Sequence, residues 1–244
     1  MPAPTTYLSP CQRHDSGLFQ GRLGAFHGGP IRWLLRVLAA TMLGLGLSGA
    51  ASWEQDRMLD AAAALGPRAT VAARLLQQVI ERAAPLDEAA KLAVVNNFFN
   101  QRVQFRSDVE VWGQEDYWAS PLEFLDKGSG DCEDYAIGKY ASLVAAGVPV
   151  PRLRLVYVRA QLAGSSQAHM VLAYYASPDA EPLILDNLVP ELRAASRRPD
   201  LMPVFSFNSE GLWQGVGAQT AGNPLVRLSR WREVLAKVRA EGFL

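Results

Sequence analysis

The stretch Gly130-Asp131-Cys132-Glu133-Asp134-Tyr135 places a thiol where a turn leads into a predicted helix, with a carboxylate on each side. Free backbone N–H groups and the dipole at a helix start favour the thiolate form of a cysteine. A nucleophilic thiol also needs a general base and a third group that fixes the tautomer of that base. If Cys132 is a nucleophile, the rest of the chain must supply both.

His169 and Asp186 are the residues that could complete such a site. Beyond the N-terminal leader described below, the sequence holds one cysteine, Cys132, and one histidine, His169. Strand parity places His169 on one face with Val171 and Ala173, and Asp186 falls in the next predicted strand, where antiparallel pairing makes the two side chains neighbours. An isolated Cys or His is more often structural than catalytic. Their joint occurrence in this order favours a Cys132–His169–Asp186 triad.

The acids around the thiol pose an electrostatic problem. Asp131, Glu133 and Asp134 would raise the pKa of the Cys132 thiol, opposing a helix dipole that contributes only ~0.3 to 1 kcal/mol. Asp131 suits the N-cap of the helix. A bound hard cation would neutralise the cluster, and Ca²⁺, which takes six to eight oxygen ligands, fits better than Mg²⁺. A solvated acidic helix start is the alternative that spacing alone leaves open.

The N-terminal region has the three-part layout of a secretory signal peptide. Arg32 and Arg36 precede an apolar stretch, 37–47, and small residues follow at 48–52. The apolar stretch is shorter than the roughly 20 residues that span a bilayer. We predict a leader at 1–51, a globular domain at 52–244 and export of that domain, with an uncleaved membrane anchor as the alternative.

The charge of the predicted domain argues against nucleic acid as a partner. Without residues 1–51 the chain has 20 basic and 23 acidic residues, a net charge of −3, and no run of Lys or Arg. Such a surface offers no basic field for a phosphate backbone. We expect an acidic domain that binds no nucleic acid.

Hydrophobic periodicity indicates an α+β fold. Apolar residues recur at helical spacing in the first half of the domain and at every second position in the strands that follow Pro151. The linkers between the strands are short enough for an antiparallel meander. The predicted helices cover 55–84 with a break at Gly66-Pro67, 88–101, a short piece from Pro121, 132–146 and 229–242; the predicted strands cover 153–159, 168–175 and 183–188, with a candidate strand at 203–207.

Six motifs together make the chain resemble a known family, the bacterial transglutaminase-like cysteine proteinases, and within it the LapG type. The motifs run in order through most of the predicted domain. They are Ser120-Pro121-Leu122-Glu123-Phe124-Leu125, Gly130-Asp131-Cys132-Glu133-Asp134-Tyr135-Ala136-Ile137, Arg154-Leu155-Val156-Tyr157-Val158, Ala168-His169-Met170-Val171-Leu172-Ala173-Tyr174-Tyr175, Leu185-Asp186-Asn187-Leu188, and Arg198-Pro199-Asp200-Leu201 leading to Phe205-Ser206-Phe207-Asn208.

This resemblance implies a papain/transglutaminase-like α+β fold, with N-terminal helices packed on an antiparallel sheet and the nucleophile at a helix N-terminus. It implies Cys132 as nucleophile, His169 as base, Asp186 as orienter and Ca²⁺ bound through Asp131, Glu133 and Asp134. Enzymes of this type cut a large surface adhesin near its N-terminus at a pair of alanines, which disperses biofilm.

The resemblance also implies partners and leaves alternatives open. The enzymes it points to are periplasmic and are inhibited by an inner-membrane receptor that senses cyclic di-GMP. A true transglutaminase would use the same triad with an amine as acyl acceptor. A non-catalytic Ca²⁺-binding module could share the scaffold, because fold alone does not decide the chemistry.

Overall fold

Three helices begin the part of the chain that the computed structural model describes, residues 53–162 and 164–244. The leader predicted at 1–51 lies outside these residues. The break at Gly66-Pro67 is confirmed: Gly66 has a φ of 130° and Pro67 begins the second helix. The side chain of Asp87 caps the third helix by accepting the Ala90 N–H at 2.8 Å. The helices are α1 (Gln55–Leu65), α2 (Pro67–Ala83) and α3 (Glu88–Arg102).

The segment before the candidate nucleophile contains more regular structure than its sequence pattern predicts. A short helix that is not among the predicted elements forms within 103–112, because Glu110 accepts the Ser107 N–H at 3.0 Å and so caps the first turn. A two-residue parallel bridge then fixes the turn before Cys132. The elements are β1 (Gln104–Phe105), α4 (Asp108–Trp112), α5 (Pro121–Lys127), β2 (Ser129–Gly130) and α6 (Cys132–Ala145).

A seven-stranded antiparallel sheet forms the second half of the domain. Its spatial order is β6-β5-β4-β3-β7-β8-β9, so the predicted β3-β4-β5 meander is confirmed. The region 190–225, where the sequence predicts only the candidate strand at 203–207, contributes four strands, three of them too short to give an alternating pattern. The strands are β3 (Leu153–Leu162), β4 (Ser165–Tyr174), β5 (Leu183–Leu185), β6 (Arg193–Ala194), β7 (Leu201–Phe207), β8 (Leu212–Gln214) and β9 (Thr220–Gly222).

The main core lies between the helices and one face of this sheet. Met170 and Leu172 of β4 point into it, as do Phe99 of α3 and Tyr140 of α6. Val171 and Ala173 point to the opposite face and join a second cluster there. Strand alternation places His169 on the face of this second cluster.

Two C-terminal helices, α7 (Pro224–Arg227) and α8 (Ser229–Ala240), complete the fold. Trp231 of α8 is fully buried, and its indole N–H donates to the carbonyl of Asn208 at 3.1 Å. None of the helices among residues 53–162 and 164–244 is long and apolar enough to cross a membrane. The expected α+β architecture, with helices packed on an antiparallel sheet, is therefore confirmed.

Candidate active site

Cys132 occupies the first position of α6, as its sequence context predicts. The residue is half-buried, and its thiol donates to Glu133 Oε2 at 3.1 Å. A backbone hydrogen bond from Met170 of β4 also reaches the sulfur. The start of the helix thus lies directly beside the strand that carries His169.

Cys132 and His169 line the same cavity, which has a volume of about 580 Å³. Apolar walls and a charged rim surround the two side chains, so an extended polypeptide could reach the thiol from solvent. The apolar walls include Trp118, Tyr157, Phe205 and Leu228, and the charged residues include Glu115, Asp116, Arg227 and Arg230.

His169 lies in the interior of β4 and not at its start, because the strand begins at Ser165. Its Nε2 lies 2.8 Å from Asp186 Oδ1, and both side chains are buried. Because Nε2 is engaged with Asp186, Nδ1 is the ring nitrogen left to accept a proton from a thiol.

Asp186 was predicted inside a strand covering 183–188, and this placement is wrong. The paired segment β5 ends at Leu185, opposite Leu172 of β4, so Asp186 is the first residue after the strand. The released backbone turns, and the N–H of Leu188 donates to Asp186 Oδ1 at 3.1 Å. Because Asp186 lies beyond the strand, its carboxylate can accept from this backbone N–H as well as bind His169.

Three partners of Asp186 were not identified from the sequence. Arg198 donates to Asp186 Oδ2 at 2.8 Å, and both side chains are almost fully buried. The backbone carbonyl of Asp186 accepts from Asn100 Nδ2 at 2.8 Å and from Lys139 Nζ at 3.1 Å. Of the three, only Lys139 had a signal in the sequence. It lies seven residues after Cys132 and therefore on the same face of α6.

These contacts determine two pKa shifts. Burial alone would raise the pKa of Asp186, but hydrogen bonds from His169 and Arg198 lower it to about 2. Burial lowers the pKa of Lys139 to about 7, partly offset by the charge of Asp186. Asp186 is therefore ionised at neutral pH and acts as an acceptor toward His169.

The predicted acid cluster at the start of α6 is larger than the sequence indicated. Asp108 and Asp116, from α4 and the loop after it, join Asp131, Glu133 and Asp134. Ligand atoms of Asp108, Asp131 and Asp134 lie within 4.8 Å of one another, as do those of Asp108, Asp116 and Glu133. Local spacing could not reveal Asp108 and Asp116, because α4 brings them to the site from more than 14 residues away.

The five acids are not equivalent. Asp134 is buried and already accepts two backbone N–H groups, from Ala119 at 2.8 Å and from Asp131 at 3.3 Å. Asp116 accepts from Trp118 Nε1 at 3.0 Å and Arg230 Nε at 3.2 Å. Asp134 thus organises the turn, and Asp116 links the cluster to the rim of the cavity.

Burial and mutual repulsion raise the pKa values of Asp108, Asp131, Glu133 and Asp134. The pKa of Asp131 rises to about 8 through burial and then through its hydrogen bond with Glu133 and the charge of that residue. Burial raises the pKa of Asp108 to about 6. Burial, together with the charge of Glu133, also raises the pKa of the Cys132 thiol. The expected conflict between thiolate and acids is present.

The cluster has the donor chemistry of a site for a hard cation. Two buried carboxylate oxygens, Oδ1 of Asp108 and Oδ1 of Asp131, have no hydrogen-bond partner. Buried polar atoms are normally satisfied, and divalent cations such as Ca²⁺ prefer carboxylate and carbonyl oxygens. The residues present therefore fit a cation held among the five acids Asp108, Asp116, Asp131, Glu133 and Asp134.

Comparison with known proteins gives the site its context. The model of the bacterial transglutaminase-like cysteine proteinase family matches residues 74–217. The chain belongs to this family. The matched span contains Cys132, His169 and Asp186 together with the five acids. As a member of this family, the protein is a cysteine protease.

Solved structures support the same assignment. Legionella pneumophila LapG treated with EGTA is 37% identical with a TM-score of 0.68, covering 77% of this chain and 98% of LapG. Calcium-bound Legionella pneumophila LapG is 38% identical with a TM-score of 0.65, covering 75% and 98%. A comparison with curated protein sequences gave no match. The predicted LapG-type resemblance within the bacterial transglutaminase-like proteinases is confirmed.

Proposed function

We propose that this proteinase is a calcium-dependent endopeptidase in which Cys132 is the nucleophile, His169 the general base and Asp186 the group that orients the base. The observation that carries this proposal is the shared cavity: the thiol at the start of α6 and the imidazole bonded to Asp186 at 2.8 Å line one cleft. A helix-start thiol, a base and an orienter are the parts that nucleophilic catalysis requires.

The proposed reaction has two half-reactions. Nδ1 of His169 takes the thiol proton, and the sulfur of Cys132 attacks the scissile carbonyl to form a tetrahedral intermediate. The backbone N–H of Cys132, unpaired at the helix start, donates to the developing oxyanion. The imidazolium then protonates the departing amine, and water hydrolyses the thioester to regenerate the thiol.

Calcium is proposed as the cation of the acid cluster. Asp131, Glu133 and Asp134, predicted from the sequence, would be joined by Asp108 and Asp116. Bound calcium supplies positive charge that offsets the carboxylates around the thiol. Glu133 accepts the thiol hydrogen bond at 3.1 Å and would also hold the cation, whose positive charge would favour the thiolate form of Cys132.

The proposed substrate is the N-terminal region of a large cell-surface adhesin, cut at a pair of alanines so that the adhesin is released and biofilm disperses. We propose a periplasmic location and inhibition by an inner-membrane cyclic di-GMP receptor. Membership in the family and the likeness to LapG support these assignments. An apolar cleft with a charged rim, open beside the thiol, is compatible with an extended protein segment as substrate.

The test is cleavage of a recombinant adhesin N-terminal fragment that contains a di-alanine site. We expect cleavage between or beside the alanines with calcium, none in excess EGTA, and none by Cys132→Ala. Cys11→Ala is the matched control, because Cys11 is the other cysteine of the chain and lies in the predicted leader.

Each alternative predicts a different result in the same assay. Full cleavage in EGTA would exclude the calcium requirement, and cleavage by Cys132→Ala would exclude the nucleophile. Incorporation of a labelled amine into a glutamine-containing protein, without peptide cleavage, would identify a transglutaminase. Calcium binding without any thiol-dependent reaction would identify a binding module.

A further inference from the structure

Arg198 is a buried cation shared by two carboxylates. The residue is 3% exposed, and its Nη2 lies 2.8 Å from Asp186 Oδ2 and 2.7 Å from Asp200 Oδ2. Its Nε also donates to Asp200 Oδ1 at 3.0 Å. A guanidinium is planar with donors in a fixed arrangement, so the contact with Asp200 sets the direction of the Nη2 donor toward Asp186.

The Arg198 contact removes the rotational freedom of the Asp186 carboxylate. Oδ2 is held by Arg198, while Oδ1 accepts from His169 and from the Leu188 N–H at 3.1 Å. Rotation of the carboxylate would leave buried charged groups without partners, which costs more than breaking an exposed hydrogen bond. The lone pair of Oδ1 therefore keeps a fixed direction toward the imidazole.

The fixed carboxylate determines which ring nitrogen of His169 carries the proton. An ionised carboxylate can only accept, so the Nε2 of His169, 2.8 Å away, must donate. In the neutral imidazole Nδ1 is then the acceptor. If Asp186 were free to rotate, Nε2 would lose its acceptor and the two tautomers would become closer in free energy.

We propose that Arg198 is a positioning residue that holds the Asp186 carboxylate so that His169 keeps its proton on Nε2 and its acceptor at Nδ1. The inference rests on the proposed role of His169 as general base for Cys132. Asp200 belongs to the same arrangement, because it accepts from Nε and from the same Nη2 that donates to Asp186.

The experiment compares four substitutions in the full-length protein. Arg198→Met removes the charge and the donors, and Arg198→Lys keeps the charge but presents a single donor group. Asp200→Asn leaves both Arg198 and Asp186 in place and weakens only the anchor, so it carries the test if Arg198→Met does not fold. Arg197→Met is the matched control, since Arg197 is the adjacent arginine and is exposed.

Two readouts distinguish positioning from a purely structural role. The first is the ¹⁵N spectrum of labelled histidine near neutral pH, which reports the tautomer of His169; its signals are assigned by their loss in His169→Gln. The second is the division between kcat and KM in cleavage of the adhesin fragment. The tautomer signal needs no substrate, so it remains informative even if the proposed substrate is wrong.

We expect the parent and Arg197→Met to show the Nε2–H tautomer and equal kcat. Arg198→Met should give a mixed tautomer signal and a kcat lower by about 10- to 100-fold, with KM changed less than about twofold. Arg198→Lys and Asp200→Asn should fall between these limits. A folded Arg198→Met or Asp200→Asn with the parent tautomer spectrum and the parent kcat would overturn the proposal. A decrease in activity that follows only the unfolded fraction, with the tautomer unchanged, would also overturn it.

Discussion

The thiol of Cys132 donates its hydrogen bond to Glu133 Oε2 at 3.1 Å, so the candidate nucleophile is paired with the acid that follows it in the chain. The same carboxylate belongs to the cluster that fits a cation. One side chain therefore touches both the candidate catalytic centre and the candidate metal site. Several consequences can be measured.

Glu133→Gln should accelerate alkylation of Cys132 by iodoacetamide several-fold at pH 8 in EGTA. Burial and the Glu133 charge raise the pKa of the thiol, and the substitution removes the second cause. The measurement is the alkylation rate against pH in a Cys11→Ser background. Glu115→Gln, on the rim of the same cavity, is the control and should react like the parent; an equal rate for both variants would contradict the pairing.

Asp108→Asn should weaken calcium binding by at least about tenfold, because it removes a buried charge and an unpartnered oxygen from the cluster. The Asn side chain retains an oxygen for the N–H of Tyr117. Isothermal titration with calcium measures the effect. Asp179→Asn, at an exposed position, should bind like the parent, and equal affinity of the two variants would remove Asp108 from the site.

Asp186→Asn should lower kcat by roughly 10³- to 10⁴-fold, since the His169 tautomer loses its anchor.

Asp186→Asn should also remove a pH dependence of stability. The pKa of Asp186 in the folded protein is about 2, below the ordinary 3.8, so its stabilisation is complete above about pH 4 and is lost as the pH falls through 2. The shift corresponds to about 2 kcal/mol. Urea unfolding of parent and variant between pH 2 and 5 tests this, and parallel curves would contradict it.

Glu241→Gln should abolish a loss of stability toward alkaline pH. The Glu241 carboxylate is buried against Ser120 and the N–H of Leu122, and burial raises its pKa from 4.5 to about 7. A raised pKa means that the stabilisation is full below pH 4.5 and is lost as the pH rises through 7, on the order of 3 kcal/mol.

The measurement for Glu241 is urea unfolding at pH 5, 6, 7 and 8. The parent should lose stability across this range relative to the Gln variant. Glu233→Gln, on the exposed face of α8, the helix that ends just before Glu241, should retain the slope of the parent. A parent curve parallel to that of Glu241→Gln would show that the carboxylate ionises as readily in the folded protein as in the unfolded chain, which would contradict the raised pKa.

Features governed by local sequence were predictable. The Gly66-Pro67 break, the start of α3 at residue 88 and the placement of Cys132 at the first residue of α6 all depend on residues within one turn of the chain. The β3-β4-β5 meander followed from alternation and short linkers. These elements need no knowledge of distant contacts, and the family resemblance added the order of the candidate site residues.

Features that depend on contacts between distant elements were not predictable. Asp186 lies beyond the end of β5, and strand ends cannot be located by alternation alone. Arg198 and Asn100 reach Asp186 from distant parts of the chain, and no local pattern distinguishes them from other polar residues. For Lys139, the helical spacing from Cys132 was the one available signal. Asp108 was missed for the same reason, because α4 forms in a stretch that lacks strong periodicity.

The position of Lys139 has a mechanical consequence. Cys132 and Lys139 lie two turns apart on α6, about 10 Å along the helix axis, and Lys139 Nζ holds the carbonyl of Asp186 at 3.1 Å. If thermal fluctuations slide α6 past the sheet, the helix carries the sulfur and pulls the loop after β5 in the same direction. Motion of this kind is shared by the two ends of the candidate triad, so the sulfur-to-carboxylate spacing changes less than the displacement of the helix itself.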